Sequence, residues 1–280
     1  MRNVNVETII DAIRTLSMDA NYYLGDDVVD ALKKAQPKEE SPLGKEILNQ
    51  ILANAEIAKN EKMPLCQDTG LSAIFVELGQ DVHIEGGDFE NAIHEGIRQG
   101  YKDGFLRKSI VEDPLRRKNT GDNTPAVIST RIVRGDKIKI TILPKGGGSE
   151  NMSAIKMLKP SDGEEGVKSF VVETVKKAGG NPCPPIIVGV GVGGSFDKCA
   201  YLAKKALLRK VGSIHSDPYY AAMEKELLER VNNTGIGPQG LGGRITALAV
   251  HIEAHPCHIA SLPAAVNTQC HSARHKEIVI

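Results

Sequence analysis

Residues 184–211 read PPIIVGVGVGGSFDKCAYLAKKALLRKV, an apolar strand that runs into a glycine turn and out into a helix. A strand–turn–helix unit of this kind, met among helical and strand-like segments, sets an α/β expectation. Gly189, Gly191 and Gly194 also satisfy G-x-G-x-x-G, after a strand and before a helix, which is the context a dinucleotide fingerprint requires. Two observations weigh against that function. The unit should continue to a strand ending in an acid about 20 residues after the glycines. Here that window is KVGSIHSD, short and broken by Gly212. The strand is also preceded directly by NPCPP, and a cysteine there has no role in binding pyrophosphate. The glycines keep the general use of letting backbone approach a ligand closely.

Outward from this unit the periodicities alternate. Residues 4–60 read as helices: VETIIDAIRTL, DDVVDALKKA, and SPLGKEILNQILANAEIAKNE with Ser at its N-cap and Pro in its first turn. The opening MRNVNVETIIDAIRTL is taken as one amphipathic helix. LSAIFVELG is a strand, DFENAIHEGIRQGYKDG a helix ending at Gly104, and LRKSIVEDPLRRKNTGDNTP a polar loop. AVISTRIVRGDKIKITILP reads as a hairpin with Gly-Asp at its turn. GVKSFVVETVKKAGG and DPYYAAMEKELLERVNN are helices, and ITALAVHIEAHP and IASLPAAVNTQC are strand-like. No repeat, low-complexity tract or linker interrupts the pattern. The expectation is one mixed α/β domain over residues 1–280 with a helical N-terminal portion over about residues 1–60.

Composition narrows the function. Lys+Arg and Asp+Glu are both 35 in 280 residues, so the basic face of a nucleic-acid or membrane-surface protein is not expected. Aromatics are 4% with no Trp, which disfavours base-stacking platforms. No apolar run approaches the roughly 20 residues that span a bilayer, and the start lacks the basic-then-apolar pattern of a signal peptide. A cytoplasmic protein is expected.

There are five cysteines, an odd number that argues against a disulfide framework. Cys66 lies in 64-PLCQDTG-70, a turn fenced by Pro64 and Gly70 that presents a thiol, an amide, a carboxylate and a hydroxyl in succession. Cys183 sits between Pro182 and Pro184, and Cys270 in NTQCHSARH. Cys199 falls on the apolar face of FDKCAYLAKKALL and reads as a packed small hydrophobe, while Cys257 in HPCHIAS is ambiguous. On the residues alone three readings stand: inert burial, a zinc site, or an iron–sulfur centre. Cys257, Cys270, His271 and His275 superficially suit zinc, but no C-x2-C pair exists in the chain. Three separated loop cysteines suit a cluster with one iron left without a thiolate.

The motifs MPLCQDTG, RKSIVEDPLRRKNTGDNTP, PKGGGSENMS, NPCPPIIVGVGVGGS and HPCHIASLPAAVNTQCHSARH, taken in this order, carry a family resemblance. Together, from about residue 20 to residue 275, the sequence resembles the class I, iron–sulfur-dependent fumarate hydratases and their sisters, the L-tartrate dehydratases. The resemblance implies the fold of that family's N-terminal domain, which in split members is an α subunit. It implies a [4Fe-4S] cluster on Cys66, Cys183 and Cys270. It implies substrate contacts from Gln67, Asp68, Arg107 (to a carboxylate) and the Gly147 backbone amide, and catalytic roles for Asp68 and His258. His255, Cys257 and His271 receive no role from it. The implied reaction is reversible hydration of a small dicarboxylate, fumarate to (S)-malate, or alternatively dehydration of L-tartrate. The abstracting base, attributed in long-chain relatives to a threonine of the C-terminal domain, has no counterpart here. The implied partner is therefore a β subunit, in a heterodimer or heterotetramer. A non-catalytic iron–sulfur sensor is the rival of another class; the set Gln67, Asp68, Arg107 and His258 disfavours it, because a sensor needs only the cysteines.

Overall fold

The computed structural model describes residues 1–280. In chain order the elements are β1 (Arg2–Asn5), α1 (Val6–Tyr22), α2 (Asp26–Ala35), α3 (Pro42–Glu61), β2 (Leu71–Gly79), β3 (Val82–Glu85) and α4 (Phe89–Asp103). There follow β4 (Val127–Val133), β5 (Ile138–Lys145), the short α5 (Gly147–Glu150), β6 (Ala154–Leu158), α6 (Gly163–Ala178), β7 (Ile186–Gly193) and α7 (Phe196–Ala206). The chain finishes with α8 (Pro218–Asn232), β8 (Ala247–His255), β9 (Leu262–Gln269) and β10 (Lys276–Val279). The mixed α/β expectation holds. The chain gathers into two compact units, one of Met1–Leu24, Ala55–Gly147 and Arg274–Ile280, the other of Gly25–Asn54 and Gly148–Ala273.

In the first unit α1 and α4 cover a four-stranded sheet of order β10-β5-β2-β4. Ile9, Ile13, Ile93 and Ile97 of the helices meet Ile74, Val76, Ile138, Ile140 and Ile142 of the strands. Each such side chain contributes about 1.5–3 kcal/mol on burial, so this core dominates the unit's stability. Two sequence expectations fail here. The N-terminus is not wholly helical: Asn5 caps α1 by accepting the Glu7 N–H at 2.9 Å, and the residues before it form a strand parallel to β3. The apolar spacing of Val4, Val6, Ile9 and Ile10 fits both readings, and pairing with a distant strand decides between them. The segment 126–144 is not a hairpin either. β2 lies between β4 and β5, parallel to the first and antiparallel to the second. The 134–137 connection arches over the end of β2, where the Gly79 N–H donates to the Lys137 carbonyl at 2.8 Å. The turn signal marked a reversal correctly, but a local signal cannot tell which strand fills the space between its arms.

In the second unit the sheet order is β6-β9-β7-β8, with β7 parallel to β8 and antiparallel to β9. The sequence IIVGVGVG explains why it is sandwiched. Ile186, Val188 and Val190 pack with α6 and α8 side chains such as Val171, Val175 and Leu227. Gly189 and Gly191 face α7 instead, where an added Cβ would fall 2.1 Å from the Ala203 carbonyl oxygen and 2.0 Å from that of Cys199. The fingerprint glycines thus serve close helix–strand packing. Cys199 itself is fully buried against Ala203 and Ala265, as its helical spacing predicted, and burial pushes its thiol up. No helix of the chain is long and apolar enough to cross a membrane.

Candidate active site

The 64–70 turn belongs to the first unit and is tied down by residues distant in sequence. The Leu65 N–H donates to the Asn21 carbonyl of α1 at 2.9 Å. The Tyr101 phenol, buried in α4, donates to the Thr69 carbonyl at 2.8 Å and lies 3.1 Å from that of Gly70. Asn123, also buried, donates to the Gly70 carbonyl at 3.2 Å and accepts the Ser109 N–H at 2.7 Å. The Thr69 hydroxyl donates to the Arg107 carbonyl at 3.0 Å, and the Arg274 Nη2 to the Asp68 carbonyl. Gly70 is the one residue type that fits its position: its φ is +73°, and a Cβ would lie 2.6 Å from the Lys145 backbone.

Bound in this way, the turn projects its functional groups outward. Cys66 and Asp68 are half-buried and Gln67 is exposed. Arg107 Nη1 donates to Gln67 Oε1 at 2.9 Å, so the amide holds one arm of the guanidinium and leaves the rest of the fork to a ligand. Asp68 spends both carboxylate oxygens on backbone: Oδ1 accepts the Gly70 N–H at 3.0 Å, and Oδ2 accepts the Gly147 N–H at 2.8 Å. The turn-capping role of Asp68 is therefore real, and it couples this carboxylate to the same amide that the resemblance assigns to substrate. In this unit the structure brings together Cys66, Gln67, Asp68, Arg107 and Gly147. It adds Tyr101, Asn123 and Arg274, which no local pattern in the sequence singled out.

In the second unit the antiparallel pairing of β7 with β9 sets Ile187 opposite Gln269, so Cys183 and Cys270 stand at the same end of the sheet. The His271 N–H donates to the Cys183 carbonyl at 3.2 Å, and its Nδ1 lies 3.0 Å from the same oxygen. Cys183 holds a left-handed φ of +56°, which a non-glycine residue before proline rarely adopts. Such strain, of order 1–3 kcal/mol, persists where neighbours over-determine it.

His258 is placed differently. β8 ends opposite Gly193, and the 256–261 loop crosses that end of the sheet to reach β9. Cys183 and Cys270 lie at the other end, beyond Ile186 and Gln269. The same topology separates Cys257 from Cys270, so the zinc set of Cys257, Cys270, His271 and His275 does not assemble, and no three His, Cys, Asp or Glu side chains gather to hold one ion. His258 is exposed and self-contained: Nδ1 accepts the Ala260 N–H at 3.1 Å, which leaves the proton on Nε2, and its carbonyl accepts from Ser261. His255 Nδ1 donates to the Pro256 carbonyl at 2.9 Å.

Several features test whether these residues suit a cluster and an anionic substrate. Gln269, 1% exposed and adjacent to Cys270, has neither Oε1 nor Nε2 bonded. Arg274, 2% exposed, leaves Nε and Nη1 unbonded. A buried N–H donor such as that of Gln269, next to Cys270 in the chain, is the kind of group that hydrogen-bonds a cluster sulfur. A Cβ on Gly147 would meet only Asp68 Oδ2, at 3.9 Å, so the space in front of that amide is open to a small anion. The residues fit both.

Comparison with known proteins identifies the family. The family model described as fumarate hydratase (Fumerase) matches residues 10–279. The protein of Methanocaldococcus jannaschii named "Putative L(+)-tartrate dehydratase subunit alpha" is 47% identical over 95% of this chain and 95% of its own length. L(+)-tartrate dehydratase subunit alpha of Escherichia coli O157:H7 is 36% identical over 91% of this chain and 85% of its own. The same subunit from Escherichia coli strain UTI89 is 37% identical over 89% and 83%. The chain belongs to the fumarate hydratase family.

Proposed function

We propose that this member of the fumarate hydratase family is the α subunit of an iron–sulfur hydro-lyase that interconverts fumarate and (S)-malate, its active site completed by a β subunit. The observation that carries the reading is the Cys66–Gly70 turn, where a thiol, an amide-steadied Arg107 and an Asp68 carboxylate on the Gly147 amide share one rigid scaffold. A sensor has no use for that arrangement. Cys66, Cys183 and Cys270 would hold a [4Fe-4S] cluster, which when bound supplies a Lewis-acidic iron for substrate oxygens.

The chain's own residues supply binding, orientation and one proton. Arg107 fixes a substrate carboxylate through its free N–H groups. A carboxylate oxygen reaching the Gly147 N–H replaces Asp68 Oδ2 there. The Asp68 carboxyl freed there, once protonated, gives that proton to the departing hydroxyl, which leaves as water; His258, the other group expected in this transfer, lies at the opposite end of its sheet from Cys183 and Cys270. The base that removes the carbon-bound proton comes from the β subunit, as does further carboxylate binding. That a β subunit exists is supported by relatives named as alpha subunits.

L-tartrate is the second reading, favoured by the names of those relatives. The two diacids differ by one hydroxyl, which the described residues do not discriminate. Anaerobic assay of α, β and the mixture on (S)-malate and L-tartrate decides. Turnover confined to the mixture is expected, with the larger kcat/KM naming the substrate. Substantial turnover by α alone, or protein reconstituted with stoichiometric zinc in place of iron and sulfide, overturns the proposal.

A further inference from the structure

The stretch 235-GIGPQGLGGR-244 lies in the second unit, between α8 and β8. Of its residues with left-handed backbone, Gln239, at φ +53°, alone carries a side chain. That conformation disfavours any residue with a Cβ. A glutamine kept there among glycines points to a use for its amide.

The contacts of Gln239 converge on the Cys183 turn of the same unit. The Gln239 N–H donates to the Pro184 carbonyl at 2.8 Å, and its Nε2 donates to the same oxygen at 3.0 Å. A carbonyl only accepts, so the amide is turned with its nitrogen toward it. Nε2 also lies 3.0 Å from His271 Nδ1, and the His271 N–H donates to the Cys183 carbonyl at 3.2 Å. One side chain therefore ties the Pro184 carbonyl to the residue that holds the carbonyl before it. Carbonyls are the backbone handles available on this side, because Pro184 and Pro185 follow Cys183 and have no N–H to donate. On the other side, the Cys183 N–H donates to the Gly180 carbonyl at 3.0 Å. The left-handed Cys183 is thus held through the groups before and after it. The loop that presents Gln239 is itself fixed. Glu39, 1% exposed, accepts the N–H groups of Arg244 at 2.9 Å and Ile245 at 2.7 Å, and those of Glu40 and Ser41 at 2.8 and 2.9 Å. Gly240 packs directly on the cysteine turn, where a Cβ would lie 2.5 Å from the Gly180 Cα.

We infer that Gln239 is a positioning residue for Cys183: acting through Pro184 and His271, it fixes the backbone that carries the thiol. The use of that thiol as a cluster ligand rests on the hydro-lyase reading; its placement by Gln239 does not.

Thiol reactivity tests this in the full-length chain before cluster reconstitution. Gln239→Gly removes the amide and eases the left-handed backbone, so the fold should survive. Alkylation by iodoacetamide, read at each cysteine by peptide mass spectrometry, should be about fivefold faster at Cys183 than in the wild type, which corresponds to the loss of one ordinary hydrogen bond, and unchanged at Cys66 and Cys257. Gln239→Glu keeps the length of the side chain but sets an acceptor against the Pro184 carbonyl, and should speed Cys183 at least as much. A Cys183 rate that is unchanged or slower in either variant, or a parallel rise at Cys66 and Cys257, overturns the inference; should one variant fail to fold, the other decides. The hydro-lyase reading fails separately: wild-type protein that takes up no iron and sulfide would defeat it, and the Cys183 alkylation rates would still decide the role of Gln239.

Discussion

The 64–70 turn and the 255–261 loop carry similar side chains, a cysteine followed within two residues by a titratable group, yet they are held in different ways. The turn hangs from Asn21, Tyr101, Asn123, Gly147 and Arg274, all far away in sequence. The loop's side-chain bonds stay within it, through Ala260, Ser261 and Pro256, and its backbone is tied at the start, where the His255 carbonyl accepts the Gly194 N–H at 3.1 Å. A segment wired from a distance is positioned for work inside its own chain.

The cysteines break or sharpen this contrast most strongly. Cys66→Ser, Cys183→Ser and Cys270→Ser should each abolish iron and sulfide retention after anaerobic reconstitution, measured by metal analysis and visible absorbance. Cys199→Ser and Cys257→Ser should retain both, Cys199→Ser losing about 1 kcal/mol of stability through packing. Iron loss in the Cys199 variant would mean that the ligands are wrongly chosen.

Asp68→Asn comes next. It keeps an acceptor for the Gly70 N–H but cannot carry the proton, so kcat should fall about 10²–10⁴-fold with the unfolding midpoint nearly unchanged. An equal loss of stability would reduce Asp68 to a turn residue.

Arg274→Gln probes the wiring without touching a reacting group. Misplacement of about 1 Å costs up to about 10²-fold, so kcat should fall more than KM rises. Hydrogen exchange at residues 64–72 should accelerate even in cluster-free protein, with β7 unchanged. Arg274→Lys should recover part of the protection through its single donor. Uniform acceleration across the chain would point to general destabilisation.

The strand that leads into the loop offers a pH test. His251 of β8 is buried, and burial, helped by Arg209, lowers it to about 4. Its folded value lies below the unfolded value of about 6.5. Its contribution is therefore complete above pH ~6.5 and is lost as pH falls through about 4, by roughly 3 kcal/mol. Denaturation midpoints across that window should show the loss, and His251→Leu should flatten it. The smallest effect belongs to the loop tip: Ile259→Ser should change the stability of the isolated chain by no more than about 0.5 kcal/mol.

The sequence reached the parts of this picture that depend on neighbours. The cysteine turns, the caps at Ser41 and Gly104, the burial of Cys199 and the strand–turn–helix of 184–211 are local, and periodicity with Pro and Gly punctuation marks them. It missed what depends on pairing at long range. β10 is a short strand recognisable only beside β5, and β2 inserts between two strands that read as a hairpin. Tyr101 and Arg274 look like ordinary helix and loop residues until the fold sets them under the 64–70 turn. The position of His258 is a case between the two: its motif was visible, but which end of a sheet it occupies follows from the order β9-β7-β8, which no spacing encodes.

The first unit takes its last pieces from Arg274–Ile280, which supply both β10 and the guanidinium under Asp68. During synthesis Gly70 emerges about 200 residues ahead of that arginine, an interval of about 10–40 s at roughly 5–20 residues per second. Until then the turn that carries Cys66 lacks its final strut and the sheet behind it lacks an edge. On the proposed cluster reading, delivery of iron and sulfide would be tied to the emergence of residues 274–280, and a nascent chain held short of Arg274 would display Cys66 on a slack turn.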